Sequence, residues 1–176
     1  MELASAKKIS IVGNSRAEKS TLSRDLGMRL GIDVFTIDKI YWLPEWKIRD
    51  QQSYKEKHDR WISKDSWIID GIGYWKELEE RIFESDIVIF LDVPIKICKE
   101  RAKYRMEQER LSPNLDITKG CVYGEMEDRQ MEVIEYFHNE LRPKVLELLS
   151  RIESDNVKII GNPFNLGIKK KHNNGN

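Results

Sequence analysis

Apolar positions along this chain follow two periods. Short, mostly apolar runs at Lys8–Val12, Asp33–Ile37, Trp67–Ile69, Asp86–Leu91 and Val157–Ile160 have the length and composition of buried strands. Between them lie longer stretches with apolar residues at three- and four-residue spacing, the period of a helix with one buried face. These are Lys19–Leu30, Gln51–Lys64 with Tyr54, His58, Trp61 and Ile62 on one side, and Pro94–Met106. A long stretch near Met126–Arg151 carries the stripe Met131, Ile134, Phe137, Leu141, Val145, Leu148 and Ile152. Gly31 marks a helix end, and Pro143 is expected to kink or interrupt the long helix. The run 72–85 is assigned no element.

Strands alternating with helices predict an α/β domain whose parallel sheet is covered on both faces. Right-handed crossovers set the strand C-termini along one edge, where open α/β sheets bind ligands. Gly13, Asp38, Asp70 and Asp92 fall at or just after those ends. Residues 107–125 are polar, with Pro113, Gly120 and Gly124, and read as a lid excursion. One domain is expected over 1–168, with a disordered tail over 169–176.

Lys8–Val12 runs into Gly13-Asn14-Ser15-Arg16-Ala17-Glu18-Lys19-Ser20-Thr21, and the last three residues open a helix. Strand, loop and helix with this spacing are the layout of a phosphate-binding loop, G-x-x-x-x-G-K-[ST]. Backbone N–H groups and the helix N-terminus face the anion; the Lys neutralises phosphate and the Ser holds Mg²⁺. Glu18 stands where the pattern's second glycine is expected and brings a negative charge, while Arg16 is a side chain able to touch phosphate.

Several blocks resemble the adenylate-kinase-related proteins known as DNA topology modulation proteins, of the P-loop nucleoside and nucleotide kinase superfamily. These are IDKIYWLPEWKIRD (Ile37–Asp50), DSWIIDG (Asp65–Gly71) and DIVIFLDVPIKICKERAKYR (Asp86–Arg105). Lys119-Gly120-Cys121 and Leu141-Arg142-Pro143 resemble the family's lid and long helix. The resemblance implies a three-layer α/β/α P-loop kinase fold with a five-stranded parallel sheet ordered 2-3-1-4-5. It implies ATP and Mg²⁺ at the loop, held by Gly13 to Thr21, with Lys19 on phosphate and Ser20 and Asp70 toward the metal. It places Asp38 on the acceptor, and Arg101 and Arg105 on the transferring phosphate. Arg101 and Arg105 are also four apart, on one helix face. Tyr41, Trp42, Trp46, His58 and Trp61 are candidates for an apolar acceptor pocket or for plain packing. The departures from the family pattern are Arg16, Glu18, Ile72-Gly73-Tyr74 after Asp70-Gly71, and Ser112 in the lid.

Composition narrows the partners. Lys+Arg and Asp+Glu are 30 each, so the net charge of zero gives no support to nucleic-acid binding. Cys98 and Cys121 form no metal or disulfide pattern, and no apolar run is long enough for a bilayer. The expectation is a cytoplasmic monomer or homodimer that phosphorylates a small molecule, with nucleosides and nucleotides among the candidates. The alternative is an inactive P-loop fold used for binding or regulation.

Overall fold

The computed structural model describes residues 2–109, 118, 121 and 127–161. Its main sheet holds β1 (Lys8–Gly13), β2 (Val34–Thr36), β5 (Trp67–Asp70), β6 (Ile87–Leu91) and β7 (Val157–Ile160), all parallel, in the order β2-β5-β1-β6-β7. The skipped numbers belong to a small antiparallel hairpin, β3 (Trp42–Leu43) and β4 (Lys47–Ile48). Counting the five sheet strands alone, the order is 2-3-1-4-5.

The helices are α1 (Lys19–Leu30), α2 (Asp38–Tyr41), α3 (Gln51–Ile62), α4 (Trp75–Phe83), α5 (Ile95–Glu109), α6 (Glu127–Tyr136) and α7 (Arg142–Leu149). Side-chain alternation along the strands builds two cores. On β6, Ile87, Ile89 and Leu91 pack with Leu22 and Leu26 of α1, Cys98 and Ala102 of α5 and Ile134 of α6. Val88 and Phe90 face the other way, onto Leu78 and Ile82 of α4 and Val145 and Leu148 of α7. A third cluster, Ile37, Ile40, Tyr54, Trp67 and Ile69, seats α2 and α3 at the β5 side.

Local signals set the ends. Asp50 caps α3 by accepting from the Ser53 amide at 2.9 Å. Gly31 closes α1 in the left-handed conformation, its N–H donating to the Gly27 carbonyl at 2.9 Å. The expected long helix is divided. A five-residue π-turn, Phe137–Leu141, separates α6 from α7, with Pro143 in the first turn of α7. Proline offers no N–H to the turn before it, so the helical ladder widens there.

The stretch 72–85, assigned no element from sequence, contains α4. Trp75, Leu78 and Ile82 stand there at helical spacing, with Glu77 and Arg81 also buried, so its period is legible in the sequence. Arg81 donates to the Gly71 carbonyl at 2.6 Å, and Glu77 accepts from Gln51 at 3.2 Å. The short elements α2, β3 and β4 were also unforeseen. The expected tail and most of the expected lid lie outside the described residues. Within the lid, Thr118 donates to the Asp38 and Trp42 carbonyls at 3.3 and 3.1 Å, and the Cys121 thiol to the Leu43 carbonyl at 3.3 Å.

Candidate functional site

A cavity of about 370 Å³ opens at the C-terminal edge of the sheet. Its walls come from the loop after β1, from Asp38 at the start of α2, from the hairpin, from the turn after β5, and from α5, α6 and the π-turn.

The loop is the most informative part. Arg16 and Glu18 have φ of 63° and 70°, in the left-handed region that side chains disfavour. Glu18 holds the place of the pattern's second glycine, and Arg16 a place where the resembled family carries another. The backbone therefore takes the glycine-like turn without the glycines, at about 1–2 kcal/mol per residue. Other contacts hold it there. Asn14, 2% exposed, donates to the Ile134 carbonyl at 3.0 Å and accepts from the Ser15 amide at 2.7 Å. The Ala17 amide closes a turn on the Asn14 carbonyl at 3.2 Å. Arg101 donates to the Arg16 carbonyl at 3.2 Å. Gly13 admits nothing larger, because a Cβ there would lie 2.7 Å from the Leu91 carbonyl oxygen.

Glu18 does not close the loop. Its carboxylate accepts from the Thr21 hydroxyl at 2.7 Å, on the exposed rim of α1. Lys19 reaches across the loop and donates to the Asn14 carbonyl at 2.8 Å. The charges of Lys19 and Arg16 act on Asp38, and that of Lys19 on Asp70. Burial nonetheless raises both carboxyls above the ordinary carboxylate range. Asp70 is 1% exposed and accepts from the Ser23 hydroxyl at 2.6 Å, with Ser20 as a further hydrogen-bond donor. Two carboxyls, one ammonium and two serine hydroxyls thus meet beside the N-terminus of α1.

The remaining expected residues are distributed as follows. Ser15, Arg16, Glu18, Lys19, Ser20, Thr21, Asp38, Asp70 and Arg105 line the cavity; Asn14, Ala17 and Arg101 support the loop from behind. Tyr41, Trp42 and Trp46 line the cavity. His58 is fully buried against Tyr54, its ionisation pushed down to about 4 mainly by burial, so it is neutral at pH 7. Trp61 stacks on Phe35 with centroids 5.0 Å apart. Asp92 is held by Arg142 through two 2.7 Å bonds. Sequence reasoning missed Arg24, Arg129, Gln130 and Tyr136 on the cavity wall, and Ser23 behind Asp70. Ser23 was legible in principle, three residues after Ser20 on one helix face.

Among solved structures, the chain is similar to a shikimate kinase from Acinetobacter baumannii in complex with shikimate, at 18% identity and TM-score 0.52, over 81% of this chain and 82% of that one. It also aligns with a shikimate kinase from Bacteroides thetaiotaomicron at 15% identity and TM-score 0.48, covering 90% and 88% of the two chains. No protein-family model matches the chain, and no curated protein matches its sequence. At 18% identity the likeness to the Acinetobacter protein establishes the fold alone, an α/β domain built on a five-stranded parallel sheet. Among the described residues no helix is long and apolar enough to cross a membrane.

Proposed function

We propose that this protein is an ATP-dependent phosphotransferase acting on a hydroxyl of a small molecule, related to the adenylate-kinase-like topology modulation proteins. The observation that carries the reading is the backbone of the loop. Left-handed φ at both Arg16 and Glu18 gives the loop a glycine-like turn, which supports reading it as a phosphate cradle. Strain of this kind persists only where surrounding contacts impose it. The donor set fits ATP and Mg²⁺: first-turn amides of α1 and Lys19 suit phosphate, while Ser20 and Asp70 offer the hard oxygens that Mg²⁺ takes.

When bound, ATP·Mg²⁺ supplies the transferable phosphoryl group and most of its charge neutralisation. The chain supplies position. Lys19 would exchange the Asn14 carbonyl for phosphate oxygen, Asp38 would orient the acceptor hydroxyl, and Arg105 would face the transferring group. Arg101 would act through the loop, by fixing the Arg16 carbonyl. What the Acinetobacter protein binds does not transfer at 18% identity, so shikimate is one acceptor to screen among several.

The second reading, an inactive binding protein, is favoured by the Glu18 charge at the rim and by Lys19 folded onto its own loop. Calorimetric titration with ATP·Mg²⁺ separates the two. The phosphotransferase reading expects micromolar to low-millimolar binding by wild type, weakened at least tenfold in Lys19→Ala, a loss of about 1.4 kcal/mol. No wild-type binding, with binding gained in Glu18→Gly, would leave the inactive scaffold.

A further inference from the structure

Two fully buried side chains, Ser23 and Arg81, stand behind Asp70. Asp70 lines the cavity, but the last torsion of an aspartate is broad and nearly two-fold, so its place on the wall does not aim its carboxyl. Ser23 of α1 does. Its hydroxyl has one proton and two acceptors in reach, the Ser20 carbonyl at 3.1 Å and Asp70 Oδ2 at 2.6 Å, and the shorter bond takes it. With that oxygen engaged, the carboxyl cannot swing.

The backbone beside Asp70 is held as firmly. Its carbonyl accepts from the Ile37 amide at 2.9 Å, and the Gly71 amide donates to the Ile11 carbonyl at 3.0 Å. The chain then turns at Gly71, with φ of 108°, where a Cβ would lie 2.8 Å from that of Ile37. The Gly71 carbonyl is met by Nη2 of Arg81, from α4, at 2.6 Å. Among the described residues, Nε and Nη1 of the same guanidinium have no hydrogen-bond partner. A buried charge is costly unless it is well paired, so packing alone gives no reason for a guanidinium here. The Gly71 bond does, and the Asp70 charge bears on the same group.

We infer that Ser23 and Arg81 are positioning residues for Asp70, together presenting its free carboxyl oxygen to a divalent cation. Ser23 fixes the rotation of the carboxyl. Arg81, through the Gly71 carbonyl, fixes the path of the chain beside it. The inference rests on the phosphotransferase reading, in which Asp70 and Ser20 face Mg²⁺. Partners that orient a metal ligand in this way are worth about ten- to a hundredfold in metal affinity. Phosphate falls instead to the loop amides and Lys19, so the pair acts on the metal and not on the nucleotide.

The test separates the two on the full chain, with Mn²⁺ in place of Mg²⁺ and a non-hydrolysable ATP analogue. Calorimetry reads the analogue's affinity without metal, and electron paramagnetic resonance reads Mn²⁺ affinity in the analogue complex. Ser23→Ala and Arg81→Met should each lower Mn²⁺ affinity about tenfold and change the metal-free affinity of the analogue by less than about twofold. Tyr54→Phe is the control. It removes a hydroxyl that sits under Gly73 without a hydrogen-bond partner, and should leave both affinities within about twofold of wild type. If Arg81→Met does not fold, Arg81→Lys keeps the charge on a shorter arm and should lower Mn²⁺ affinity in the same sense. Unchanged Mn²⁺ affinity in Ser23→Ala or in the Arg81 variant, an equal fall in analogue affinity, or the same loss in Tyr54→Phe would overturn the inference. A wild type that binds neither analogue nor metal would instead overturn the phosphotransferase reading. The nucleotide-free chain then decides the pair: the carboxyl-carbon resonance of Asp70 moves in both variants if they orient it, and stays in place if they do not.

Discussion

Glu18 has two separable effects, one on backbone and one on charge. Its left-handed φ of 70° costs about 1–2 kcal/mol for a residue with a Cβ, whereas glycine takes that conformation freely. Glycine also makes the unfolded chain more disordered, which returns part of the gain. Glu18→Gly is therefore expected to be more stable by about 0.5–1 kcal/mol, read as a higher urea midpoint with an unchanged slope. It also removes a carboxylate from the mouth of an anion site and should tighten ATP·Mg²⁺ binding severalfold. A variant that is less stable would mean that the Thr21–Glu18 bond outweighs the strain. Glu18 also shows what the sequence could and could not disclose. Lys19, Ser20 and Asp70 were legible because their chemistry is carried by the residue type and its spacing. The loop conformation at Arg16 and Glu18 was not, because Asn14, Arg101 and Ile134 impose it from elsewhere in the chain.

Elements are joined to the site by a few polar contacts, and these can be cut singly. The Asn14 side chain ties the end of β1 to α6 through the Ile134 carbonyl, 120 residues away in sequence. Asn14→Ala would leave the Ser15 amide and its surroundings short of a buried partner, at about 1–3 kcal/mol, and urea unfolding should show a loss of that size. The same substitution frees the loop from α6 and should weaken ATP·Mg²⁺ binding; retained stability would mean that the strap is ornamental. The Arg142–Asp92 pair anchors α7 to the end of β6 in bidentate geometry, though both side chains stay partly exposed. Solvent screening limits its worth, so Arg142→Met should cost only about 1 kcal/mol by the same measurement. At this scale the five strands and most helices were legible from periodicity alone. α4 carries a helical period too, in Trp75, Leu78 and Ile82, over only nine residues. The hairpin was hidden because two-residue strands carry no period to detect.

For the whole molecule, buried titratable groups set how stability responds to pH, and here they oppose one another. His58 is neutral and fully buried between Tyr54 and charged neighbours: Arg81 and Lys55 disfavour its proton, and Asp59 favours it. Its ionisation in the fold lies at about 4 against 6.5 for the free group, so below pH 6.5 the unfolded chain takes up the proton first. That contribution is complete above pH 6.5 and is lost as pH falls toward 4, by about 3 kcal/mol over the window. Asp38 and Asp70 act in the reverse sense. Burial raises their carboxyls, so the fold binds their protons before the unfolded chain does and gains stability as pH falls toward the free value of 3.8. The carboxyls thus oppose the histidine, and the wild-type loss of stability on acidification should be smaller than His58 alone would give. His58→Phe keeps a ring against Tyr54 and removes only the histidine arm. Urea unfolding of this variant should show stability rising on acidification from about pH 7 to 5, relative to wild type, by about 2 kcal/mol at pH 5. The slope rather than the absolute stability decides, since a larger ring in a packed core carries a cost of its own. Parallel curves for the two proteins would mean that His58 stays solvated enough to titrate normally. The polar cluster of Tyr54, His58 and Arg81 would then be a wet pocket, and not a dry foundation beneath the Asp70–Gly73 turn.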